Sequence, residues 1–84
     1  MSPFWLEGHP VEVCSQEGKP LRLRWGWGSH KVEAVSSHWR IHTAWWSEEE
    51  IWRDYWEVTT DTNLLCVVYH DLLQGAWHLE RIYE

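Results

Sequence analysis

Apolar and polar side chains alternate with a period of two along most of this chain, the pattern of β-strands with one buried face. The clearest run is Leu21-Arg22-Leu23-Arg24-Trp25, where the apolar side chains are expected to point inward. Residues that favour turns separate such runs at 15–20, 26–29, 61–63 and 71–75. Short strands joined by tight turns predict an all-β fold.

These runs predict about six strands, at 11–13, 21–25, 30–46, 53–60, 64–69 and 76–83. The run 64–69 is apolar on both faces, as expected of a central strand. The third run changes phase near Ala34, which predicts a bulge there. Ser47 with Glu50 fits a capping box, so at most one short helical turn is expected between strands. Because sequential strands usually pair, we predict a small antiparallel meander that curls into a partly open barrel.

The core of so short a chain must rely on large side chains. With 84 residues there is room for one domain, 1–84, which buries only about 60–65% of its unfolded surface. Nine Trp residues compensate, because each aromatic side chain can bury about 150–250 Å². We expect Trp39, Val58, Val67 and Leu79 in the core, and roughly two to four Trp residues partly exposed at an interface.

The net charge of −6 argues against a general nucleic-acid coat protein, which needs an excess of Lys and Arg. It leaves room for a local basic patch, and five of the seven basic side chains are Arg. Cys14 and Cys66 lie in strand-like runs and are expected to be buried free thiols, which suits a cytoplasmic location. No apolar run approaches about 18 residues, so we expect no membrane span.

The motifs of common catalytic and metal sites are missing from the sequence. No Cys-x-x-Cys pair occurs, and His38 and His42 would lie about 13 Å apart in a strand, too far to share one ion. Nothing in the spacing selects a pair of carboxylates, and no Gly-rich loop precedes a helix. We therefore expect no metal, no cofactor and no enzymatic activity.

Arg residues stand among aromatic residues at several places, namely Arg22 and Arg24 around Trp25, Arg40 beside Trp39, and Arg53 between Trp52 and Tyr55. Such mixtures form hot spots for a protein partner or stacking platforms for single-stranded nucleic acid. Alternatively, the guanidinium groups cover aromatic rings of the core. The candidate binding residues are Trp27, Arg40, Trp46 and Arg53, which we expect to lie together on one surface.

The second half of the chain carries a set of aromatic motifs. They are His38-Trp39-Arg40-Ile41, Trp45-Trp46, Arg53-Asp54-Tyr55-Trp56-Glu57-Val58-Thr59-Thr60, Tyr69-His70-Asp71-Leu72 and Gly75-Ala76-Trp77-His78-Leu79-Glu80-Arg81-Ile82-Tyr83-Glu84. Over about residues 30–84 the chain resembles a small Trp-rich bacterial domain of unknown function. That domain occurs alone and as a C-terminal extension of Y-family DNA polymerase relatives associated with damage-induced mutagenesis. The chain departs from the family pattern at His70, Trp56 and Glu84, where the family has Arg, Phe and Asp.

The resemblance implies an accessory role in cytoplasmic DNA repair and translesion synthesis, and it supplies no catalytic residues. Together with the composition, it predicts a non-catalytic interaction module whose partner is a protein of a polymerase or repair assembly. The alternative is a module that binds single-stranded or primer-template DNA.

Overall fold

A computed structural model of the chain describes the backbone of residues 4–26, 28–43, 46 and 50–83, and the side chains in these ranges from residue 9 onward. This part of the chain forms seven strands: β1 Phe4–Pro10, β2 Glu12–Gln16, β3 Lys19–Trp25, β4 Gly28–Thr43, β5 Ile51–Thr60, β6 Leu65–Asp71 and β7 Trp77–Tyr83. All paired strands are antiparallel. The predicted all-β meander is confirmed, with β1 as an additional strand.

Helices that could cross a membrane do not occur in the described ranges. The helical turn predicted at Ser47–Glu50 falls mostly on positions outside them, since of these four residues only Glu50 is described.

The sheet curls because its two edges are consecutive in the sequence. Its strand order is β1-β7-β6-β5-β4-β3-β2, so β1 and β2 lie at opposite edges. Only Val11 separates them. Its N–H donates to the carbonyl of Trp77 in β7 at 3.2 Å, while the next residue, Glu12, pairs with Arg24 in β3. The two edges therefore approach each other around Val11, and the sheet forms a partly open barrel.

β4 is long and bends at two bulges. A straight strand of its 16 residues would span about 50 Å, more than the longest dimension of the molecule, 41 Å. Its register with β5 shifts between Val32 and Ala34 and again between Val35 and Ser37. The predicted bulge near Ala34 is confirmed, and a second bulge follows it directly.

Both faces of the sheet bury apolar side chains. The larger cluster lies on the inner face of the curl and consists of Val11, Leu23, Trp56, Val58, Cys66, Val68 and Leu79. A smaller cluster on the outer face contains Tyr55, Val67 and Tyr69, with Ile41 packed against it. The predictions that Val58, Val67 and Leu79 are core residues are confirmed.

The prediction that Trp39 is a core residue is wrong. Trp39 is 38% exposed and lies on the outer face, opposite Tyr55. The second bulge of β4 is the cause, because an extra residue reverses which side chains face inward. As a result His38, rather than Trp39, lies on the inner face, where it is paired with Trp56.

A bulge in the β2–β3 pair overturns two further expectations. Cys14 pairs with Arg22 and Ser15 with Pro20, so Leu21 has no direct partner. Pro20 takes the buried position, and Leu21 is 42% exposed instead of pointing inward. Cys14 is exposed, contrary to the prediction, because it shares the outward-facing register position of Arg22.

Candidate interaction surface on the outer face

The sheet separates the residues that were predicted to share one surface. Arg40 pairs with Asp54, and Arg53 pairs with Ile41. Directly opposed residues point to the same face and successive residues to opposite faces. Arg40 therefore lies on the inner face and Arg53 on the outer face, so the expectation that they lie together is wrong. Trp27 falls outside the described residues.

Arg40 belongs to a polar network around a buried carboxylate. Asp54 is only 7% exposed. Its Oδ1 lies 2.6 Å from Nε2 of His38 and 3.5 Å from Nε of Arg40. The His38 ring stacks on Trp56 with 3.6 Å between ring centroids. Because a buried carboxylate needs such partners, the main role of Arg40 is to compensate Asp54.

A second polar pair lies at the β4–β5 hairpin, where Nε2 of His42 is 2.6 Å from Oε2 of Glu50. Asp54 was not among the residues predicted from the sequence to form a site. The available signal was an acidic residue within the strand-like run 53–60, where a buried carboxylate is expected to have a cationic neighbour.

A row of aromatic rings crosses four strands on the outer face. Trp39 in β4 stacks on Tyr55 in β5 with 5.4 Å between ring centroids, and Tyr55 contacts Tyr69 in β6 at 5.1 Å. Tyr69 stacks in turn on His78 in β7 at 5.1 Å. We call Trp39, Tyr55, Tyr69 and His78 the aromatic row. Stacked neighbours on adjacent strands fix the register and stiffen this face of the sheet.

Arg53 covers the middle of the aromatic row. Its guanidinium carbon lies 4.4 Å from the centroid of the Tyr69 ring, and Nη1 donates to the Tyr55 hydroxyl at 3.3 Å. Burial raises the pKa of the Tyr69 phenol, and the nearby Arg53 charge partly offsets that rise. Burial alone would lower the pKa of Arg53, but the hydrogen bond to Tyr55 and the surrounding oxygens raise it. Arg53 thus covers aromatic rings, the alternative that the sequence left open.

Three exposed apolar side chains belong to the end of the sheet at the β4–β5 hairpin or to the connection there. Trp39 is 38% exposed and Ile51, which pairs with Thr43, is 37% exposed. Trp46 follows in the hairpin connection and is 74% exposed. Ile41 lies between Trp39 and Thr43 and is half-buried. We call Trp39, Ile41, Trp46 and Ile51 the hairpin patch.

The sequence predicted that Trp46 is exposed. It could not predict where Trp46 lies relative to the outer face, because that depends on the path of the β4–β5 connection. Ile51 was not predicted as a site residue, because 47–50 were interpreted as a possible helical turn and the strand was expected to begin only at residue 53. Its β-branched side chain directly before the alternating run was the usable signal.

No family model, no curated protein and no solved structure matches this chain. Within the described ranges, no three His, Cys, Asp or Glu side chains come close enough together to hold a metal ion.

Proposed function

We propose that this protein is a non-catalytic interaction module that binds a protein partner in a bacterial repair or translesion polymerase assembly. The observation that carries the proposal is the hairpin patch, where Trp39, Trp46 and Ile51 expose apolar area at one end of a rigid sheet. Partly exposed Trp side chains supply much of the binding free energy at protein interfaces. The aromatic row behind the patch holds it in place without a partner.

The charges around the hairpin patch favour a protein partner over a nucleic acid at this site. Between Trp46 and the start of β5 the sequence contains Ser47 and then three acidic residues, 48–50. The nearest cation on the outer face, Arg53, is engaged with Tyr55 and Tyr69. A phosphate backbone would meet mostly negative charge here. The partner surface that fits is apolar at its centre and carries Lys or Arg at its rim.

The repair context rests on the resemblance to the Trp-rich domain of polymerase relatives. Several positions of that motif pattern lie on the outer face, namely Trp39, Arg53, Tyr55, Tyr69, Arg81 and Tyr83. Trp39 belongs to the hairpin patch, Tyr55 and Tyr69 continue from it along the aromatic row, and Arg81 and Tyr83 lie farther away on the same face in β7. The surface and the context therefore support one proposal.

Affinity capture with matched variants tests the proposal. The baits are the unaltered domain, Trp46→Ala and Leu21→Ala, each used in nuclease-treated bacterial extract with quantitative mass spectrometry. Leu21 is the control because it is an exposed apolar residue on β3, far from the hairpin patch. We expect a polymerase or repair protein to be captured without nucleic acid. Because an interface Trp contributes about 2 kcal/mol or more, Trp46→Ala should reduce the affinity of the recovered partner roughly 30-fold.

The Leu21→Ala bait should behave like the unaltered domain. Equal recovery with the Trp46→Ala bait would show that the hairpin patch is not the contact surface. Recovery that disappears on nuclease treatment would show that the captured protein is held through nucleic acid, which also contradicts the proposal.

A further inference from the structure

The basic side chains of this acidic protein are concentrated at the end of the sheet remote from the hairpin patch. Four of the seven, Lys19, Arg22, Arg24 and Lys31, lie in β3 and the start of β4. Residues 34–84 contain three basic side chains but nine acidic ones. The net charge of −6 therefore hides a local positive surface, which attracts anions at short range.

The register of β2, β3 and β4 puts three of these cations side by side. Arg22 pairs with Lys31 on one side and with Cys14 on the other, so it has no acidic residue directly opposite. Arg24, two residues along, pairs with Glu12, and its Nη2 lies 2.6 Å from the Glu12 carboxylate. Like charges directly opposite each other across two strands destabilise a sheet. A bound anion would remove the repulsion between Arg22 and Lys31.

Among the described residues, no carboxylate forms an ion pair with the side chain of Arg22 or Lys31. Nη1 of Arg22 donates to the Ser29 hydroxyl at 3.2 Å, a neutral acceptor. The Asp61 carboxylate accepts the backbone N–H of Lys31 at 3.2 Å, on a loop beside β4. Arg22, Arg24 and Lys31 form what we call the basic patch.

Concave surface adjoins the basic patch around Trp25. A cavity of about 490 Å³ is lined by Pro10, Val11, Glu12, Arg24, Trp25 and Gly26. A second, of about 410 Å³, is lined by Trp25, Gly26, Gly28 and His30, so Trp25 and Gly26 border both. A third, of about 300 Å³, contains Arg22 and Arg24 in its lining. These volumes lie within the roughly 300–1,000 Å³ of small-ligand sites.

The Trp25 ring is held rigidly at the border of these cavities. It packs against the inner core and stacks on His30 with 4.3 Å between ring centroids. Nδ1 of His30 is 3.0 Å from the Thr62 hydroxyl. Gly28 leaves room for the His30 ring, since a Cβ at position 28 would lie 3.0 Å from its Nε2. The Trp25 ring points to the opposite face of the sheet from Arg24, but the two residues line the same cavity near Val11, where the edges of the sheet approach each other. A ligand that combines a planar ring with negative charge could contact both there.

We infer that the basic patch and the Trp25 cavities form a binding site for single-stranded nucleic acid, separate from the hairpin patch. Phosphates would lie against Arg22, Arg24 and Lys31 on the outer face, and the strand would continue into the cavity that Arg24 and Trp25 both line, where a base would lie against Trp25. Pairing of cations with an aromatic ring is how proteins bind single strands with little sequence preference. A duplex would offer the phosphates but keep its bases inaccessible, so single strands should bind more tightly.

Fluorescence anisotropy with a labelled oligothymidine tests this site. For contacts to two or three phosphates, affinity should fall about 7- to 18-fold between 50 and 200 mM salt. Binding should also quench Trp emission. The double variant Arg22→Gln/Lys31→Gln should lose tenfold or more in affinity. Arg40→Gln/Arg81→Gln removes the same charge elsewhere and should lose less than threefold, with circular dichroism confirming that both variants are folded.

Three results would overturn the inference. One is the absence of oligothymidine binding at 50 mM salt. Another is an equal loss in the two double variants, which would mean that only net charge matters. The third is competition by inorganic polyphosphate as effective as that by oligothymidine at equal phosphate concentration, because no base would then be contacted. The Arg22→Gln/Lys31→Gln variant should still capture the protein partner, so this site and the hairpin patch can fail independently.

Discussion

At the scale of single residues, the histidines of this protein pack against tryptophans. Four of the six His rings stack on Trp rings, in the pairs Trp25–His30, His38–Trp56, His42–Trp52 and His70–Trp77. In each pair the imidazole ring of His covers part of the larger indole ring of Trp. The imidazole nitrogens remain at the edge of the stack, where they can reach a carboxylate, a hydroxyl or water. The abundance of both residue types is thus explained by packing.

The two cysteines provide a prediction at this scale, because one thiol is buried and the other is exposed. Burial raises the pKa of the Cys66 thiol from 9.0 to about 11. A pKa that is higher in the folded state means that Cys66 favours folding fully below pH 9, and that this contribution is lost as the pH rises through 11. We expect the free energy of unfolding to fall by about 2–3 kcal/mol over this range on account of Cys66.

Denaturant unfolding at pH 8 and pH 10.5 measures the effect. Cys66→Ala should show a smaller decrease between the two pH values than the unaltered protein, although its stability at pH 8 is lower because a core sulfur atom is removed. Cys14→Ala should keep the full decrease, since Cys14 is exposed. An unchanged pH dependence in Cys66→Ala would mean that other groups, such as Tyr69, account for the whole alkaline loss.

At the scale of elements, the β2–β3 hairpin contains a turn with an unfavourable residue. Gln16 pairs with Lys19, and the two residues between them, Glu17 and Gly18, have φ values of 54° and 82°. This is a two-residue loop of type I′, which favours Asn followed by Gly. Glu17→Asn should therefore raise the free energy of unfolding by about 0.5–1 kcal/mol, as measured by chemical denaturation.

Gly18→Ala is the matched change in the opposite direction. Nothing lies within 4 Å of a Cβ at position 18, so only backbone strain opposes the new methyl group. We expect a loss of about 1–2 kcal/mol. A neutral Gly18→Ala variant, or a destabilised Glu17→Asn variant, would be inconsistent with a type I′ turn in solution.

The sequence predicts the existence of elements better than their phase. Alternation identified β3, β5 and β7, and β6 was recognised because its run is apolar on both faces. β1 was missed since Gly8, His9 and Pro10 resemble a strand terminator. Pro10 is tolerated because β1 is an edge strand, where one backbone donor is dispensable. Trp39 was placed on the wrong face because two successive bulges in β4 cannot be counted from the local pattern alone.

The candidate site shows the same limit. Exposure of Arg40 and Trp46 followed from local arguments. Whether Arg40 and Arg53 share a surface depended on the pairing of β4 with β5, which is a contact between distant segments. The role of Arg53 depended on Tyr69 in β6, and that of Arg40 on Asp54 in β5. Partners of this kind are determined by the strand pairing of the whole sheet, so they cannot be predicted from the sequence immediately around a residue.

At the scale of the whole molecule, stability should decrease from the middle of the sheet towards its edges. β5 and β6 are paired on both sides and supply Val58, Cys66 and Val68 to the inner core, whereas β2 is an edge strand with exposed residues. In native-state hydrogen exchange, we expect the amides of these three residues to open only with global unfolding. Amides in β2 should open at a free energy lower by on the order of 2 kcal/mol.

Equal protection of β2 and β5 would contradict this gradient. It would indicate that the sheet closes fully at Val11, so that β2 is no longer an edge in solution. The exchange pattern therefore also measures how open the barrel is.

The placement of β1 and β2 at opposite edges also matters while the chain is being made. The ribosome releases β1 first, but β7, the strand with which it pairs, is synthesised after all the others. Until then the segment 4–10 has no partner of its own, and the growing sheet from β2 to β6 has an unprotected edge that can pair with other nascent chains. Closely spaced ribosomes on one mRNA therefore increase the risk that nascent chains of this protein aggregate through this edge. Slow release of β7 from the ribosome would prolong the period of risk.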